Sequence, residues 1–374
     1  MVARVYLVPG FFGFAALGEL KYFHHVKEAL DAAFVRAGQD VQVHRIDTLP
    51  TATIARRAAR LLEVIRETCG DEGPIHLIGH SSGALDARML LDPERDLDPV
   101  LLSRVRSAIS VAGAHRGTPL ASAFRTAFGK EIMKLLALLT IRTLKLGPLP
   151  VAGITAFAAI LSAFDSAVGA KPDLVDQLQK ELLRDLTADR RVALHQLFQD
   201  VAEDQTLLDE LTPDLAQHFD AQTHDRPGVR YACVVTEARR PSVMSTLEAG
   251  LSPYAQASHT IYHALYRLTS RSTPSLAPPR EMELVRDELV AAFDDMPGPA
   301  DNDGIVPTWS QLHGSLLCAV KADHHDVIGH FDDPYTEPRH IDWLITGTHF
   351  TRAHFDTLWS RVAAFVLETP SDIG

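Results

Sequence analysis

The feature that most limits what this chain can fold into lies at residues 75–91, IHLIGHSSGALDARMLL. An apolar strand-like run enters Gly79-His80-Ser81-Ser82-Gly83 and leaves at once in a helical pattern. A strand can turn into a helix this abruptly only if the central residue accepts a cramped backbone and small residues stand two before and two after it. Gly79 and Gly83 fill those places. The turn therefore offers the Ser81 hydroxyl at the end of a strand.

The surrounding texture is consistent with that reading. Strand runs at 5–8, 41–46, 75–79 and 107–113 alternate with helical patterns near 22–37, 52–68 and 83–91, and strands resume at 229–235 and 315–320. Such alternation predicts an α/β protein with a mostly parallel central sheet flanked by helices. Nearly everything from 119 to 225 has helical periodicity, which predicts a helical cap inserted into a core formed by 1–118 and 226–374. The stretch 240–300, with STPSLAPP and MPGPADNDG, reads as a further irregular excursion. At 374 residues the chain is long for one core, so a large domain with an insertion, or two domains, is expected.

Leu146 to Phe164 runs without a charge and is long enough for a membrane span. Pro148 and Pro150 break its first turns, and its place between core strands favours a cap helix instead. The apolar face of that helix is expected to close over a pocket or to meet a lipid surface.

The net charge of −12, with no Lys/Arg run, excludes a nucleic-acid partner. Cys69, Cys233 and Cys318 have no CxxC partner; Cys233 and Cys318 read as small core hydrophobes, with a single disulfide between them as the alternative. The opening MVARVYLVPG enters a strand directly and lacks an export signal's apolar core and cleavage site, which points to the cytoplasm.

A serine hydroxyl attacks at neutral pH only with a base in reach and a third group fixing the base's tautomer. For a nucleophile on such a turn the expected chain order is serine, acid, histidine. Asp303 in ADNDGIVP suits the acid, and the Asp-Gly turn favours it over Asp301. KADHHDVIGH, directly after the strand at 315–320, offers His324 or His325 as base; His330 follows, and with Asp323 and Asp326 the cluster could alternatively bind a metal. The oxyanion of the tetrahedral intermediate needs backbone N–H donors, for which Ser82 and, in the loop LVPGFFGF, Phe11 are the candidates.

With these residues in place the sequence resembles the bacterial true lipases, the family I triacylglycerol lipases of the α/β-hydrolase superfamily. The likeness lies in VYLVPGFFGFAALGELKYFHHVKEAL, IHLIGHSSGALDARMLL, AGAHRGTPLA, DNDGIVP and DHHDVIG. It implies an α/β-hydrolase fold, a triad of Ser81, Asp303 and His324, and His324 rather than His325 as base. Pro9 departs from it, standing where a histidine usually precedes the oxyanion glycine. The family also implies a structural calcium near the histidine loop, with Asp326 as a ligand. His330 stands where a further oxygen ligand is expected, and no cap-side aspartate aligns.

The expected function is therefore serine carboxylic ester hydrolysis through an acyl-enzyme on Ser81, with an acyl ester as substrate and no cofactor in the chemistry. A thioesterase, an intracellular polyester depolymerase or a catalytically silent binding scaffold are the alternatives, since fold alone does not choose among them.

Overall fold

A computed structural model describes residues 2–11, 22–49, 51–95, 97–126, 135–136, 151–165, 192, 204, 206–248, 250–271, 275–336, 340, 342 and 344–368. Its first half runs β1 (Ala3–Val8), α1 (Val26–Arg36), β2 (Val41–Arg45), α2 (Ile54–Thr68), β3 (Ile75–His80), α3 (Gly83–Leu91), α4 (Pro99–Leu102) and β4 (Val105–Val111). Helices α5 (Pro119–Phe124), α6 (Val151–Asp165), α7 (Thr206–Glu210) and α8 (Pro213–Gln222) precede β5 (Arg230–Glu237). After it come α9 (Val243–Glu248), α10 (Pro253–Thr269), α11 (Arg286–Phe293), α12 (Thr308–Gln311), β6 (Ser315–Lys321) and α13 (Arg352–Leu367).

Among the described residues the strands form one six-stranded sheet, all parallel, in the order β2-β1-β3-β4-β5-β6. The chain steps outward from β1 to β2 on one side and from β3 to β6 on the other, so the direction of winding switches between β1 and β3. Ligands of open α/β sheets bind beyond the carboxyl ends of the strands at such a switch. The segments leaving β1 and β3 there are Pro9-Gly10-Phe11 and His80-Ser81-Ser82.

Alternating side chains feed two cores. Tyr6, Val8 and Leu77 belong to one, with Ile54, Ala58, Leu61, Leu62 and Ile65 of α2. Val5, Leu7, Ile78, Ile109 and Val111 belong to the other, with Phe355, Leu358, Trp359 and Val362 of α13. The apolar positions of α2 recur every three to four residues, and each fully buried leucine or isoleucine contributes about 1.5–3 kcal/mol by leaving water. The Thr53 side chain accepts from Arg56 N and caps that helix.

The stretch 240–300, expected to be irregular, is largely helical. Pro253 opens α10 rather than interrupting a loop, because a first-turn proline loses no hydrogen bond, and Ser252 caps the helix by accepting from Ala255 N. Of the apolar run 146–164, residues 146–150 lie outside the described residues and the rest begins α6. Ile154, Phe157, Ala158, Ile160 and Leu161 are buried, and α6 packs on α10. No helix among the described residues is long and apolar enough to cross a membrane. The described parts of 119–225 are mostly helical; most of that segment lies outside the described residues. All three cysteines are free and buried, so Cys233 and Cys318 form no disulfide.

Candidate active site

Ser81 sits between β3 and α3 with φ of +56°, in the left-handed region. A non-glycine residue there carries strain that the surroundings must hold. The surroundings also explain the two glycines. A Cβ on Gly79 would meet Ala84 N at 2.5 Å, and one on Gly83 would meet Val8 O at 2.3 Å. Ser82 immediately precedes α3, so its N–H lies ahead of the helix's internal hydrogen bonding.

The loop after β1 passes directly over the serine, since a Cβ on Gly10 would come within 2.6 Å of Ser81 Cβ. Arg57, from α2, holds this loop. Its guanidinium is fully buried, donates from Nη2 to Pro9 O at 2.8 Å, and pairs with Asp86 through Nη2 at 2.7 Å and Nε at 3.0 Å. Burial raises the Asp86 carboxyl above its ordinary value, and the charge of Arg57 opposes this. Phe11 reaches the same cleft as Ser81; residues 12–21 lie outside the described residues.

Asp303 is fully buried, and His324 Nδ1 lies 2.7 Å from its Oδ2. Oδ1 accepts from Ile305 N at 3.0 Å and Val306 N at 2.7 Å. Oδ2 also has Thr236 Oγ1 at 2.8 Å and Gln311 Nε2 at 3.3 Å beside it. Both carboxylate oxygens are thus met by donors. Asp301 is turned away, bonded to Arg240 at 2.7 Å. The structure thus joins Asp303, not Asp301, to His324, not His325. Thr236 and Gln311 were not singled out from sequence, because their role appears only when β5 and α12 come together.

Ser81, His324 and His325 line one cleft with Phe11, Tyr22, Ala114, Thr118, Leu120, Ala121, Phe124, Leu208, Leu211, Ile305 and Val306. Apart from the reactive end its walls are almost wholly apolar. Leu208 and Leu211 come from α7 and the residues after it, whereas no described residue of α6 lines the cleft.

Behind the histidine loop, ligand atoms of Asp323, Asp326 and Asp342 lie within 4.8 Å of one another. Burial and the charge of Asp323 push the Asp326 carboxyl well above its usual range; burial with Asp323 and Asp326 does the same to Asp342. His330 is not in this group: its Nε2 lies 2.9 Å from Tyr22 O and its Nδ1 3.3 Å from His340 Nε2.

No family model matches the sequence. A triacylglycerol lipase of Pseudomonas fragi is 34% identical over 126 residues, which is 33% of this chain and 39% of the relative. One of Vibrio cholerae is 31% identical over 123 residues, 32% of this chain and 35% of the relative. The chain therefore spans well under half the length of the curated relatives it matches. Among solved structures, EstA from Clostridium botulinum superposes with a TM-score of 0.54 at 17% identity, covering 97% of this chain and 87% of that one. Lipase 1 from Pelosinus fermentans gives 0.53 at 16%, covering 98% and 99%, and Staphylococcus hyicus lipase 0.50 at 15%, covering 97% and 95%. The chain thus has the α/β-hydrolase fold and is similar in sequence to bacterial triacylglycerol lipases.

Proposed function

We propose that this protein is a serine carboxylic ester hydrolase that cleaves lipid acyl esters through an acyl-enzyme on Ser81. The observation that carries the reading is the buried Asp303–His324 pair opening on the same apolar cleft as a serine held in a strained strand–helix turn. In this mechanism His324 Nε2 takes the Ser81 proton while Oγ attacks the ester carbonyl, and Asp303 holds the ring and stabilises the imidazolium. The N–H groups of Ser82 and Phe11 receive the oxyanion. His324 then returns the proton to the departing alcohol, and water, deprotonated by the same histidine, releases the acid. The apolar walls suit an acyl chain.

The test is hydrolysis of p-nitrophenyl butyrate and palmitate, together with fluorophosphonate labelling. Wild type should turn over at least one ester and take one label, and Ser81→Ala should do neither. Labelling that persists in Ser81→Ala would sink the proposal.

The calcium implied by the family resemblance fits Asp323, Asp326 and Asp342, since closely spaced carboxylate oxygens are the donors a hard cation takes. A bound calcium would neutralise their mutual repulsion and tie residues on both sides of His324 together. The further oxygen ligand then comes from Asp342, not from the position of His330.

A further inference from the structure

The geometry points to Tyr22 and His80 as positioning residues that lock the oxyanion loop to the backbone of the base, through one directed hydrogen-bond chain from Gly10 to His324. The inference rests on the hydrolase reading above and extends it to residues outside the triad.

The direction of every bond in the chain is forced. His80 Nε2 lies 2.8 Å from the carbonyl oxygen of His324, which can only accept, so Nε2 carries the proton. In a neutral ring Nδ1 is then a lone pair, and it lies 2.7 Å from Tyr22 Oη, which must donate to it. The oxygen of Tyr22 keeps a lone pair for Gly10 N, 2.9 Å away. His80 is fully buried, and burial with the neighbouring His324 holds its imidazole far below the ordinary value, so the ring stays neutral. Burial likewise raises the Tyr22 hydroxyl, so the donor keeps its proton.

The ends of this chain are what the chemistry needs held together. Gly10 directly precedes Phe11, whose N–H is assigned to the oxyanion, and its backbone lies against Ser81. His324 is the base. His80, at the end of β3, and Tyr22 together therefore set the spacing between a loop that leaves β1 and a loop that leaves β6. Pro9, where the resembling family usually has a histidine, can donate no backbone N–H, so the loop is held by Tyr22 through Gly10 and by Arg57 through the Pro9 carbonyl. A displacement of about 1 Å between reacting groups can cost roughly 10²-fold in rate.

The test compares Tyr22→Phe, His80→Gln and His80→Leu with wild type for kcat and KM on a p-nitrophenyl ester. It also reads the His80 tautomer by nitrogen-15 NMR. Tyr22→Phe keeps the ring that lines the cleft and removes only the hydroxyl. It should lower kcat by about 10- to 10²-fold with KM within about twofold, and the Nε2–H signature of His80 should weaken. His80→Gln, whose amide can still donate to the His324 carbonyl, should recover most of what His80→Leu loses; this pair decides the matter if Tyr22→Phe fails to fold. Equal activity of the His80→Gln and His80→Leu variants, or a Tyr22→Phe loss confined to KM, overturns the assignment. An inactive wild type shows the hydrolase reading itself to be wrong and removes the assignment with it. An active wild type matched by Tyr22→Phe removes the assignment alone.

Discussion

His324 Nδ1 reaches across twenty-one residues to stand 2.7 Å from Asp303 Oδ2, and the carboxylate it meets has no exposure to solvent. Asp303→Asn leaves the packing intact but presents an amide where the imidazole N–H needs an anionic acceptor. A kcat loss of about 10³- to 10⁴-fold is expected. Asp301→Asn, at a side chain bonded to Arg240, Tyr266 and Gly298 N rather than to the histidine, should stay near wild type. Steady-state rates on a p-nitrophenyl ester check both, and a nearly active Asp303→Asn would refute the assignment.

The Arg57–Asp86 pair is fully buried on both sides. Removing one partner strands a charge, so Arg57→Ala should destabilise the fold by about 3–5 kcal/mol, more than the joint change of Arg57→Met and Asp86→Leu. The measurement is the denaturant midpoint and slope of each variant. A double variant as unstable as the single would show that the packing of these side chains, not their charge, matters.

Leu208 and Phe124 stand in the apolar wall of the cleft. If that wall takes the acyl chain, Leu208→Trp should lower kcat/KM for palmitate by about tenfold relative to butyrate, the scale expected when a few methylenes lose their contacts. An unchanged ratio would place the chain elsewhere.

His76, buried on β3 with Nδ1 at 2.8 Å from Ser107 Oγ, is pushed down to about 4 by burial, with Arg230 and Arg106 adding repulsion. Its folded value lies below the unfolded one, near 6.5, so between these the unfolded chain binds a proton that the native state refuses. Stability from this site is present above about 6.5 and is lost as pH falls towards 4. Glu237 has the opposite sign. Burial and then the charge of Asp301 push it up to about 8, so its contribution is lost as pH rises from its unfolded value to that point. Unfolding curves at several pH values should therefore show a shallower acid-side slope for His76→Leu and a relative gain above neutral pH for Glu237→Gln. Parallel curves for variant and wild type would contradict the corresponding assignment.

Calcium or its luminescent substitute terbium should raise the melting temperature of wild type, and a chelator should reverse it. Asp342→Asn and Asp326→Asn should both abolish the shift. A shift that survives both would place the cation elsewhere; no shift at all would mean these carboxylates stay partly protonated instead.

Local patterning made much of the fold legible. The strand runs match β1 to β6: the central β1 and β3 are buried and largely apolar while the edge strand β2 alternates apolar and polar residues, and the strained turn at Ser81 announces itself because its neighbours leave no room for a Cβ. Proline and serine misled at 240–300, since the same residues that punctuate loops also start helices, as Ser252 and Pro253 do for α10.

The order of elements, the nucleophile's turn and a short set of candidate acids and bases are therefore written in residues close along the chain. Long-range packing settled the rest: that Asp303 and not Asp301 meets His324, that Asp342 joins Asp323 and Asp326, and that Tyr22 and His80 bridge two loops. Hydrogen bonds of 2.7–2.9 Å admit no slack, and which groups come that close depends on how separate strands stack in the sheet, which no local spacing records.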